Sequence, residues 1–84
     1  MSLQLLCRFE AADADSWKSA YDANWEDRSN AGLSQLQVWR GADAGSAIWA
    51  LYSVNDRAKA QTWLDGAAKL SDAKVAEAHF LETA

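Results

Sequence analysis

From Leu3 to Phe9 the apolar residues Leu3, Leu5, Cys7 and Phe9 alternate with Gln4, Leu6, Arg8 and Glu10. A period of two with one clearly apolar face predicts a first strand. Asp13 and Asp15 then offer N-cap oxygens ahead of Trp17, Ala20, Tyr21 and Trp25, which recur at spacings of three and four. This predicts a helix whose stripe continues through Asn24 and Arg28, with Lys18, Asp22, Glu26 and Asp27 mainly on its solvated side. Asn30-Ala31-Gly32 ends it, because glycine accepts the left-handed conformation that closes helices.

Leu33 to Arg40 alternates again, with Leu36 and Val38 on one face and Gln35, Gln37 and Trp39 on the other. After the aperiodic Gly41-Ala42-Asp43-Ala44-Gly45-Ser46, a strand resumes from Ala47 to Val54 with Ile48, Ala50, Tyr52 and Val54 aligned. The two runs predict a hairpin. Placing Trp39 opposite Trp49 pairs Val38 with Ala50, Gln37 with Leu51 and Leu36 with Tyr52, which keeps both faces consistent.

Asn55-Asp56 supplies a second N-cap before the stripe Ala60, Trp63, Leu64 and Ala67, with Gly66 the weak point of that second helix. After Ser71-Asp72, the segment from Ala76 to Glu82 alternates, setting Ala78 and Phe80 against Glu77, His79 and Leu81. This is the fourth strand. No repeat, linker or low-complexity tract interrupts residues 1–84, so they form a single domain. The order strand, helix, two strands, helix, strand predicts an α+β, ferredoxin-like βαββαβ fold: a four-stranded antiparallel sheet with both helices on one face.

If the first strand buries Cys7 and Phe9 beneath the helices, the opposite face carries Leu6, Arg8, Glu10, Gln37, Trp39, Trp49, Leu51, His79 and Leu81. Two tryptophans and three leucines on one open face form a patch larger than a soluble monomer usually leaves wet. A second copy is the expected cover. With 84 residues and one cysteine, the domain lacks the intrachain disulfide that small folds often use, which strengthens the case for pairing.

Composition removes several function classes. Half the residues are hydrophobic and 24% are charged, the balance of a globular domain. The net charge of -4, with no basic cluster, argues against nucleic acid as a partner. No apolar run approaches the roughly 18 to 20 residues that span a bilayer, and the N-terminus carries no basic-then-apolar leader, so a cytoplasmic location away from membranes is expected.

Asp13-Ala14-Asp15-Ser16-Trp17, Ala31-Gly32-Leu33 and Leu36-Gln37-Val38-Trp39-Arg40, followed by the strand ending at Val54 and then by Asp56, Ala60 and Trp63, form a series. This series resembles small uncharacterised proteins of the dimeric α/β-barrel group, distant relatives of the antibiotic biosynthesis monooxygenases. The resemblance spans most of the chain and implies a fold and a homodimer, with small organic ligands between sheet and helices or inside the barrel. The haem-degrading branch uses an Asn on strand one with a Trp and a His. Strand one here has Gln4 but no Asn, so Trp63 and His79 inherit no such role.

The candidate chemistry is sparse. His79, beside Glu77, is a candidate general base, and Arg8 a candidate clamp for a substrate carboxylate or phenolate. Plainer readings are an interface histidine and an Arg8–Glu77 cross-strand ion pair, and these are preferred. Trp39 and Trp49, with Gln37, Leu51, Leu6 and Glu77, form a wall suited to an aromatic ligand or, preferably, to a dimer interface. Trp17, Tyr21, Trp25 and Trp63 read as core, and Cys7 as a small buried hydrophobe.

A metal could be held only by His79 with Glu10 and Glu77, which is too weak a set to assign one. The chain carries no phosphate loop, serine elbow or dinucleotide fingerprint, so no cofactor is expected. These residues therefore favour a dimeric module that binds a small apolar or aromatic ligand or assembles with itself. The alternative is a cofactor-free, monooxygenase-like enzyme acting on a small aromatic or polyphenolic substrate.

Overall fold

A computed structural model describes residues 2–43, 45–67 and 73–84. The elements run β1 (Leu3–Ala11), α1 (Ala14–Ala23), α2 (Trp25–Asn30), β2 (Leu33–Arg40), β3 (Ala47–Val54), α3 (Arg57–Ala67) and β4 (Ala73–Glu82). The strands form one antiparallel sheet in the order β2-β3-β1-β4, as the split βαβ arrangement requires. The expected ferredoxin-like α+β fold is therefore present. The Ser71-Asp72 boundary and Ala44 of the hairpin loop lie outside the described residues.

One sheet face meets the helices. Leu5, Cys7 and Phe9 of β1 and Ile48, Ala50 and Tyr52 of β3 are buried with Trp17, Tyr21, Ala60 and Leu64 from α1 and α3. Trp17 stacks on Tyr21 at 4.6 Å between ring centroids and meets Phe9 at 5.2 Å, while Trp63 sets its edge against Tyr52 at 5.7 Å. The buried phenols are satisfied in a chain: Tyr52 donates to the Tyr21 hydroxyl at 2.8 Å, and Tyr21 donates to Gln35 Oε1 at 2.7 Å. Such pairing removes the cost of burying their oxygens.

Several sequence expectations need correction. The first helix is not continuous, because the Asn24 N–H turns to the Tyr21 carbonyl at 3.2 Å and its side-chain amide donates to the Ala20 carbonyl at 2.9 Å. Asparagine thus replaces one helical bond with a local one and breaks the helix. The new helix α2 carries Trp25 outward, 60% exposed rather than in the core. Arg28 is buried instead: it stacks its guanidinium 3.6 Å from the Tyr21 ring centroid and donates to the Tyr21 carbonyl.

The predicted pairing of Leu36 with Tyr52 is also wrong. Trp39–Trp49, Val38–Ala50 and Gln37–Leu51 pair as expected, but a bulge then places Gln35 opposite Tyr52 and leaves Leu36 as the extra residue, 51% exposed. Gln35 consequently lies on the helix-covered face, where it accepts the Tyr21 hydroxyl, and not beside Gln37. β1 extends past Phe9 to Ala11, and β4 begins at Ala73 rather than Ala76, with Ala76 as the extra residue where the β1 register shifts between Arg8 and Phe9. Helix α3 runs through Gly66 to Ala67 without breaking there.

Asp13 caps α1 by accepting from the N–H groups of Asp15 and Ser16, as its position predicts. These bonds to its charged form hold its carboxyl below the usual range, those of Ser16 contributing most. Gly32 closes the helical segment at φ +73°, and a Cβ there would lie 3.3 Å from both Asn55 Cβ and the Asp56 nitrogen. Gly32→Ala is expected to lower stability by about 1–3 kcal/mol, since left-handed backbone and crowding act together. Gly66→Ala, with nothing among the described residues within 4 Å, should raise it by about 0.5–1 kcal/mol. Urea unfolding of the two variants, compared with the parent chain, checks the opposite signs.

Candidate functional site

The face of the sheet away from the helices is built in rows by strand register. Trp39 stands opposite Trp49, Trp49 opposite Arg8, and Arg8 opposite Glu77, which lays one row across all four strands. The next row is Gln37, Leu51, Leu6 and His79. Beyond it, Ser34, Ser53, Gln4 and Leu81 form a more polar row, and Glu10 flanks the first row on β1. Every residue proposed from sequence for this site therefore shares one face: Arg8, His79, Glu77, Trp39, Trp49, Gln37, Leu51 and Leu6.

Within that array the two tryptophans lie on β2 and β3 and the charges on β1 and β4, while Leu6 and Leu81 carry apolar surface across β1 and β4. Trp39 is 44% and Leu81 41% exposed, while Trp49, Leu51 and Leu6 are half-buried. Alternation sets which residues reach this face, because the buried residues of β1 and β3 are the odd and even members, respectively, of their strands.

Arg8 is the hinge between the two halves. Its Nη2 and Nε donate to Glu77 Oε1 at 3.0 and 3.3 Å, and its Nη1 is hydrogen-bonded to Glu10 Oε1. On its other side, its guanidinium carbon lies 5.9 Å from the Trp49 ring centroid. The expected Arg8–Glu77 pair is thus present, and the guanidinium, held between two carboxylates and an indole, is fixed in place. It also stands in the middle of the set His79, Glu10 and Glu77, so their carboxylates are turned to a cation the protein already supplies.

His79 Nε2 lies 3.4 Å from Glu77 Oε2. Glu77 accepts from Arg8 first and from His79 second, and both hold its carboxyl below the usual carboxylate range. Glu77 is therefore an ionised carboxylate at neutral pH that orients the imidazole. Chemically the cluster can anchor one anionic or hydrogen-bonding group at the edge of an apolar surface. It carries no nucleophile, because Cys7 lies on the opposite face, fully buried, with its thiol pushed up to about 12 by desolvation.

A cleft of about 390 Å³ that sequence reasoning did not single out lies on the helix-covered side, between α1 and the β2–β3 hairpin, with Trp17, Val38, Arg40 and Ile48 among its walls. The chain pattern marks its apolar members as core and Arg40 as a solvated strand end. Only the seating of α1 on the sheet makes them one site. No protein-family model matches the chain, and no curated protein matches it. Among the described residues, no helix is long and apolar enough to cross a membrane.

Proposed function

We propose that this protein is a self-assembling module. Its open sheet face binds a second copy of the chain to make a dimeric α/β barrel, and the space between the sheets accepts a small apolar or aromatic ligand. The observation that carries the reading is the half-exposed Trp39–Trp49 pair, continuous with Leu51, Leu6 and Leu81, on a face that no element among the described residues covers. Burying such a surface is favourable by about 25 cal/mol per Å² of apolar area, and tryptophan is the residue most enriched at the centres of interfaces.

Two further points support a second copy as the occupant. A twofold pairing presents the same patch from both sides, so a surface with its tryptophans at one end and its charges at the other can match itself. The charges are already engaged within one chain, Arg8 with Glu77 and Glu10, which lowers the cost of taking them out of water. The molecule's two longer extents, 35 and 25 Å, allow the roughly 800 Å² per partner that stable interfaces bury.

Sedimentation equilibrium at micromolar concentration should give about twice the 9.2 kDa chain mass. Trp49→Glu should weaken association by at least about a hundredfold, since the new carboxylate would be buried beside an Arg8 guanidinium that Glu77 and Glu10 already share. The variant should keep its far-ultraviolet circular dichroism. A parent chain that sediments at 9.2 kDa, or a Trp49→Glu variant that still dimerises like the parent, would overturn the reading. Oxidation of a polyphenol by this face finds less support, because Arg8 and His79, its candidate catalysts, both turn toward Glu77.

A further inference from the structure

We infer that the cleft between α1 and the β2–β3 hairpin is a binding site for a small planar organic monoanion, an aromatic carboxylate in particular. Trp17, Val38 and Ile48 form its apolar floor, and Arg40 stands over them at the rim. Trp17 is held rigidly, with one ring face stacked on Tyr21 at 4.6 Å and Phe9 tilted against it at 5.2 Å. Arg40 lies directly across the hairpin from Ile48. A flat ring on this floor thus has a guanidinium within reach of a carboxylate at its edge.

The charges at the rim select the ligand further. Lys18 is engaged by Asp22, which accepts from its ammonium at 2.7 and 2.8 Å through both oxygens. Among the described residues Arg40 has one loose partner, Asp15, at 3.6 Å, and the Arg40 and Asp15 side chains are 61% and 96% exposed. An ion pair this open holds its partners weakly, so a ligand carboxylate that meets the guanidinium in bidentate geometry can displace Asp15. Asp15 and the overall charge of -4 disfavour phosphates and other polyanions, and a bare inorganic anion would leave the floor unused. The volume of about 390 Å³ is at the small end for ligand sites and suits one or two fused rings.

Trp17, Val38 and Ile48 lie on the face of the sheet opposite Trp49 and Arg8, while Trp39 borders both the cleft and the open face, so sedimentation with and without ligand accompanies the binding measurement. The test is ¹⁵N–¹H shift mapping of the full chain with 2-naphthoate and, as its uncharged counterpart, 2-naphthylmethanol. The acid should shift the Trp17 indole N–H and the amides of Val38 and Ile48, and should bind about five- to tenfold more tightly than the alcohol. Arg40→Gln should bring the acid's affinity down to that of the alcohol. Asp15→Asn should tighten acid binding by about two- to threefold, because it removes the carboxylate that competes for Arg40.

Both substitutions are at exposed side chains, so folding is not at stake. Equal affinities for acid and alcohol, acid binding unchanged by Arg40→Gln, shifts centred on Trp49 and Leu51, or no shift up to about 5 mM would each overturn the inference.

Discussion

Leu5→Ala should lower the unfolding free energy by about 3 kcal/mol, roughly a third to a half of the total for a domain of this size. Leu5 is completely buried in β1, between Tyr52 of β3 and Phe80 of β4 in the register of the sheet. The strand backbone on both sides is pinned by the ladder, so the neighbours can collapse only partly into the space that the lost methyl groups leave. The cost is then the lost transfer free energy plus a cavity. Leu36→Ala, at the exposed bulge of β2, is the control and should stay within about 0.5 kcal/mol of the parent. Urea unfolding at one fixed protein concentration separates the two, with a lower midpoint and an unchanged slope expected for Leu5→Ala. Equal losses would mean that burial does not decide stability here.

The contrast between Leu5 and Leu36 also marks where sequence reading succeeds and where it stops. Alternation put Leu5, Cys7 and Phe9 on one face and Leu6 and Arg8 on the other, and the structure keeps that division because β1 pairs with a neighbour on each side. In β2 the same kind of alternation misplaced Leu36. An edge strand can take up an extra residue, and the register there is settled by Leu33, buried at one end, and by Gln35, whose side-chain oxygen meets Tyr21. No local pattern announces a bond between residues 14 positions apart.

The break at Asn24 was hidden for the opposite reason. The stripe from Trp17 through Tyr21, Asn24 and Arg28 has helical spacing throughout, and all four positions pack inward or half inward. Arg28 does occupy the inner face, as that spacing implied. What spacing cannot express is that an asparagine side chain competes with its own backbone for the Ala20 carbonyl, which turns Trp25 out to solvent.

The candidate face was legible to the residue, because strand register alone brings Trp39, Trp49, Arg8 and Glu77 into a row. The cleft beside Arg40 was not, because it depends on where a helix comes to rest on a sheet.

Alkaline titration should have the other large effect, and its sign follows from burial. Cys7 and Tyr52 are both fully buried, and desolvation of the charged form pushes both groups above their ordinary values of 9.0 and 10.0, Cys7 up to about 12. The unfolded chain therefore releases these protons at a pH where the folded chain still holds them. A raised folded pKa contributes stability that is fully present below the unfolded value and is lost as pH rises toward the folded one. Stability should therefore hold up to about pH 9 and then decline, by about 1.4 kcal/mol per pH unit for each group past its unfolded value. At pH 11 the two together amount to about 4 kcal/mol, enough to unfold much of a small domain. Cys7→Ala should delay the onset by about one pH unit and Tyr52→Phe should make the final slope shallower without abolishing it, since burial also raises the Tyr21 phenol, as urea unfolding between pH 7 and 11 will measure. Below the onset, the Cys7 thiol should be alkylated by iodoacetamide only as fast as the protein opens, since its thiolate cannot form in place. A stability curve flat to pH 11, or a thiol that reacts in the folded protein at the rate of a free cysteine, would show that water reaches this part of the core.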